Sequence, residues 1–129
     1  MRKRSKRILF GIAILLAVLL AGCGGTQVRT NWAGTNVSGK MAYTYSTFTG
    51  LETAKIEVEE GQTLKLDFDV AVNQGSLTLR LVGPDKMNLW EKRFESDETG
   101  WFETSHIESG RYTLEAQGEQ AGGGFEVTW

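Results

Sequence analysis

The side chains in this sequence that could do chemistry are few, and most stand alone. His106 is the only histidine and Cys23 the only cysteine. Neither a histidine cluster for a metal nor a disulfide can therefore form within one chain. His106 with a serine and an aspartate could in principle make a nucleophilic triad, but no nucleophile-elbow pattern flanks any serine. Asp67 and Asp69 lie two apart in an alternating stretch, which points both carboxylates to one face of a strand. Side by side they could take calcium through oxygen ligands, yet the fuller ligand run of a calcium loop is missing. With Lys65 beside them they read as a solvated face, as do Glu57, Glu59 and Glu60. No catalytic residue, metal ligand or cofactor is expected. Trp101 and Phe102 are adjacent, and neighbours on a strand point to opposite faces, so one of them is expected to face away from the core. An exposed ring there is a binding platform for a sugar or a protein, because it buries much area at low entropy cost. The alternative is a two-layer aromatic core or a loop folded over the ring, and Trp90 beside Leu89 raises the same question.

The lone thiol draws its meaning from what precedes it. Arg2, Lys3, Arg4, Lys6 and Arg7 open the chain, and an apolar run of 13 residues, Ile8 to Leu20, follows. As a helix this run reaches about 20 Å, short of the ~30 Å hydrocarbon core of a bilayer. A basic head, a short apolar stretch and then small residues form the layout of a secretory signal peptide. Leu20-Ala21-Gly22-Cys23 resembles the lipobox of bacterial lipoproteins. That resemblance implies cleavage between Gly22 and Cys23, with Leu20, Ala21 and Gly22 read by the signal peptidase and a diacylglyceryl group on the Cys23 thiol. Two acyl chains matter physically, because one alone gives only marginal, reversible membrane binding. The alternative is an ordinary signal peptide with an incidental cysteine. Gly24 does not resemble the Asp signal that retains lipoproteins in some inner membranes, so an extracytoplasmic face of the inner, outer or sole membrane stays open.

Residues 23–129 keep nine Lys and Arg against sixteen Asp and Glu, a formal charge of −7. Such a surface argues against nucleic acid and against docking on anionic lipid through a basic patch. Residues 23–40, rich in Gly, Thr, Asn and Ser, read as the lipidated cysteine and a flexible tether, with a short strand toward its end. A linker of that size spans about 20–25 Å. Trp32 within it is expected to pack onto the domain or to sit at the membrane interface.

From Met41 the apolar pattern has period two. Met41, Tyr43 and Tyr45; Ile56 and Val58; Leu64 to Val72; Leu77 to Leu81; Tyr112 to Ala116; and Phe125 to Trp129 each mark a strand. Glu60-Gly61, Asn73-Gln74-Gly75, Pro84-Asp85 and Glu108-Ser109-Gly110 read as turns, and Ser96–Gly100 and Gly118–Gly123 as longer loops. The fold expected is all-β: a signal helix over 1–22, then a small antiparallel β-sandwich, jelly-roll-like or Ig-like, of seven to eight strands over 41–129.

Three segments, Gly61-Gln62-Thr63-Leu64, Leu81-Val82-Gly83-Pro84-Asp85 and Ser109-Gly110-Arg111-Tyr112-Thr113-Leu114, resemble those of bacterial pre-peptidase C-terminal domains, small sandwiches appended to secreted enzymes. Where that family often has an Asp-Leu pair opening a central strand, this chain has Ser76-Leu77, so no calcium or collagen role is carried over. The sequence thus points to a lipid-anchored, non-enzymatic module that binds an envelope protein or glycan. A small envelope hydrolase and a purely structural assembly factor are the rivals.

Overall fold

Three strands of 19 residues each carry the molecule: β3 (Lys40–Val58), β4 (Leu64–Val82) and β7 (Gly110–Thr128). In each, the buried positions change parity part-way. Met41 and Tyr45 are buried in β3, then Phe48, Ala54, Ile56 and Val58. Leu64 to Val72 are buried at even positions of β4, then Leu77, Leu79 and Leu81 at odd ones. Tyr112, Leu114 and Ala116 give way in β7 to Ala121, Phe125 and Val127. Side chains alternate faces strictly along a strand, so a parity change needs an inserted residue. The pairing registers break there, at Tyr45–Gly50 in β3 and Val72–Ser76 in β4, as bulges do.

Each long strand bends at its break and contributes to two layers. In the first layer, β2 (Ala33–Val37) pairs with the first half of β3, followed by the second half of β7, the first half of β4, and β6 (Glu98–Thr104). The second layer holds the other halves of β3, β7 and β4, with β5 (Asn88–Phe94) at its edge. β1 (Val28–Thr30) lies along the β3 bend. All pairings are antiparallel, so the molecule is the expected small β-sandwich, made of one sheet folded double. The layers meet through Phe68 against Phe94, with ring centroids 5.3 Å apart, and through Trp90 of β5 stacked on Phe102 of β6 at 5.3 Å. One pole of the sandwich is formed by the three bends. The other, the mouth, carries the Ser38-Gly39 hairpin, the connections 59–63 and 83–87, and residues 107–109 ahead of β7.

Small residues let the sheet fold. Gly75 sits at φ +64° in the β4 bend, where a Cβ would stand 2.3 Å from the Gln120 carbonyl oxygen. At Gly118 a Cβ would meet the Phe48 ring and carbonyl at 2.5 Å, so β3 and β7 approach closely only because that position is bare. Asp97 accepts a 2.9 Å hydrogen bond from the Val72 amide at the β4 break.

The computed structural model describes residues 27–105 and 107–129. The expected signal segment 1–22 with Leu20, Ala21 and Gly22, the expected lipidation site Cys23, and His106 lie outside them. Four expectations are corrected. Asn73–Gly75 is a bend inside β4 and Gly118–Gly123 a bend inside β7, not a turn and a loop, and β6 already begins at Glu98. The cause is that a bulge and a tight turn share a composition of Gly and short polar residues. The stretch expected as tether is an edge strand from Val28 onward. β1 and β2 run together against β3, interrupted where Asn31 adopts φ +53°. That kink turns Trp32 inward to stack on Tyr43 at 4.3 Å and to pack on Phe48 at 4.8 Å, under the Arg29 guanidinium at 4.4 Å.

Candidate binding face

The outward surface of the first layer is set by register. Reading across the strands from β6 to β2, one row is Trp101, Asp67, Thr128, Lys40 and Val37. The next is Thr99, Asp69, Glu126, Ala42 and Thr35, and below it Ala71, Gly124, Thr44 and Ala33. Trp101 is 68% exposed, more than any other large apolar side chain described. Phe102, its neighbour, points the other way and packs against Trp90 and the core. Of the aromatic pair only Trp101 therefore stands on this face. Alternation decides it, because Phe102 pairs with inward-facing Leu66 and Trp101 with outward-facing Asp67.

Beside the indole lies a trough of about 460 Å³ lined by Asp67, Asp69, Thr99, Glu126 and Thr128. It continues across the sheet into a second hollow of about 530 Å³ whose floor is Ala42, Thr44, Ala71, Gly124 and Ala33. Asp69 and Glu126 line both. The hollow exists because the row Ala71, Gly124, Thr44 and Ala33 presents only small side chains. Lys65 lies 5.9 Å from the Trp101 ring centroid and 3.5 Å from Asp67 Oδ1, and Lys40 lies 3.5 Å from Glu126 Oε1. These pairs are solvent-exposed and contribute at most about 1 kcal/mol each to the fold. Asp69 has no ion-pair partner among the described residues. The face thus combines an apolar ring with acceptor carboxylates and two threonine hydroxyls. Among the described residues no three His, Cys, Asp or Glu side chains converge as a metal site.

A separate group closes the free edge of the sandwich. Glu52 accepts from Arg29 Nη1 at 2.8 Å and from the Tyr43 hydroxyl at 3.4 Å, while Asn36 Nδ2 donates to the Thr53 carbonyl at 2.8 Å. Burial, with Glu52 second, pushes the Tyr43 phenol above its usual value. Sequence reasoning did not anticipate this cluster, nor the part of Thr99, Glu126 and Thr128 in the face. Only strand pairing brings such distant positions together.

No protein-family profile matches the chain, and no curated protein matches it. Among solved structures it is similar to a CBM4 carbohydrate-binding module at 13% identity, covering 84% of this chain and 79% of that one with a TM-score of 0.52. It is also similar to the pre-peptidase C-terminal domain of a collagenase from Bacillus anthracis, at 16% identity over 74% and 90% of the two chains, TM-score 0.46. A third is a periplasmic inhibitor of g-type lysozyme from Aeromonas hydrophila, at 15% identity over 80% and 91%, TM-score 0.46. At 13% identity the likeness to the CBM4 module is one of fold, the small β-sandwich.

Proposed function

We propose that this chain is a non-catalytic binding module, held by lipid at Cys23 on the outer side of a bacterial membrane, and that it takes a cell-envelope glycan on the outward face of its first layer. The observation that carries the reading is the Trp101 indole, exposed beside a trough of carboxylates and hydroxyls. A pyranose offers one face of C–H groups, which an indole covers well, and a rim of hydroxyls, which donate to carboxylates. Asp67, Asp69 and Glu126 act as acceptors there, and Thr99 and Thr128 can donate or accept. The likeness in fold to a carbohydrate-binding module fits this reading.

Retention on insoluble envelope polysaccharide tests it. Removing an anchoring aromatic at the centre of a contact costs about 2 kcal/mol, roughly thirtyfold in Kd. Trp101→Ala is expected to lose retention by that factor while its circular dichroism stays unchanged, because the ring packs on nothing the fold needs. Retention equal to the parent protein would overturn the glycan reading. A protein captured by cross-linking only when Trp101 is present would replace it.

A further inference from the structure

We infer that the pole formed by the three strand bends lies on the membrane surface and that the mouth of the sandwich points away from it. This rests on the lipid anchor proposed above. Four residues, Gly24 to Gln27, separate Cys23 from β1, which is already paired to β3 at Val28. Fully extended, the five steps from Cys23 to Val28 reach at most about 18 Å. That is less than the length of one layer, so the domain cannot turn freely about its anchor.

The point of entry is at the bends. Val28 pairs with Thr49, the Gln27 side chain lies over Gly50, and Thr49 Oγ1 accepts a 3.0 Å hydrogen bond from the Gln120 amide in the β7 bend. Val28 and Leu51, each 38% exposed, are the apolar side chains at this entry. They match the lipid surface to which the chain is tied. β4 runs from Val72 at the bend to Leu64 at the mouth, eight steps or about 26 Å. Asp67, with Trp101 opposite, stands five steps up, about 17 Å from the bend. The Trp101 face is thereby turned sideways and lifted clear of the headgroups, with exposed Val37, Met87 and Leu89 grouped toward the distal half.

The test uses the full-length acylated protein in phosphatidylcholine vesicles that carry a headgroup-bound fluorescence quencher. With Cys23 acylated, an introduced cysteine is the only free thiol. Fluorophores are placed by Gln74→Cys at the β4 bend or by Glu60→Cys at the mouth, both exposed positions. Quenching at Gln74→Cys is expected to exceed that at Glu60→Cys severalfold, and twelve Gly/Ser residues inserted after Gly25 are expected to erase the difference. Equal quenching at the two positions in the native spacing, with acyl chains confirmed by the mass of the Cys23 peptide, would overturn the orientation and leave the anchor standing. A Cys23 peptide of unmodified mass would overturn both.

Discussion

Replacing Trp32 with alanine tests whether the segment before β3 is fold or leash. Its indole stacks on Tyr43 at 4.3 Å, packs against Phe48 at 4.8 Å and stacks on Tyr45 at 5.6 Å, with Arg29 above it at 4.4 Å. Truncating a fully buried aromatic costs about 3–5 kcal/mol. Trp32 is only half-buried, which lowers its burial share, but the stacking and the cation–π contact go with it, about 0.5–1 kcal/mol for the latter. A loss of about 3 kcal/mol follows, a large part of the roughly 5–15 kcal/mol that holds such a domain. At about 4–8 °C per kcal/mol the midpoint falls by about 12–24 °C. Thermal unfolding of the solubilised full chain, followed by circular dichroism and paired with urea midpoints, reads this directly. Trp32→Phe, which keeps a stacked ring, is expected to lose less than half as much. A Trp32→Ala midpoint within about 4 °C of the parent would show that residues 28–37 hold nothing together. It would also lengthen the span between the proposed anchor and the domain to more than a dozen residues, and the orientation argued from four would go with it.

The other outcomes concern the core and the bends. Gly118→Ala is expected to destabilise by about 2 kcal/mol or more, read as a lowered urea midpoint, because its Cβ meets the Phe48 carbonyl oxygen, a backbone atom, at 2.5 Å. Phe102→Ala is expected to cost about 3 kcal/mol by the same assay, since it removes the stack on Trp90 that joins the layers, whereas Trp101→Ala stays within about 0.5 kcal/mol. The Tyr45 hydroxyl is buried without a hydrogen-bond partner among the described residues, so Tyr45→Phe is expected to raise stability by about 1 kcal/mol or more. Burial also pushes the Tyr45 phenol well above its usual value. The unfolded chain then releases that proton first, so stability present below about pH 10 is lost as pH rises further. Urea midpoints taken from pH 8 to 11 should fall less steeply in Tyr45→Phe than in the parent.

The alternation that marks strands was plain in the sequence, and so was the all-β class, because each strand buries one face only. The division into strands was less plain. Leu64 to Val72 and Leu77 to Leu81 look like two strands joined at Asn73-Gln74-Gly75, and a hairpin and a bend need the same glycine there. What separates them is whether the two runs pair with each other. They do not: Leu79 pairs with Ala116 and Lys92, and Phe68 with Val127 and Gly100. Pairing is a long-range property that the local pattern does not carry. Trp32 was hidden for a related reason. Its neighbours are Gly, Thr and Asn, a composition that serves a leash or an exposed edge strand equally well.

The same limit explains why the sequence exposed the ring of the candidate face but not its surroundings. Trp101 and Phe102 had to diverge, and alternation alone guaranteed that one would face outward. Which one did so, and what it stands beside, depends on β6 pairing with the first half of β4 and on β7 passing between β4 and β3. Asp69 and Glu126 are 57 positions apart in the chain and face each other across a single strand spacing, about 4.8 Å. A charge row assembled in this way requires the parity change in β7, since without it Glu126 would turn into the core and Phe125 out of it. The bends that bring the chain's entry to one pole are therefore also what place the carboxylates beside Trp101. A substitution that straightens β7 should disturb orientation and ligand retention together, whereas one at Trp101 should touch retention alone.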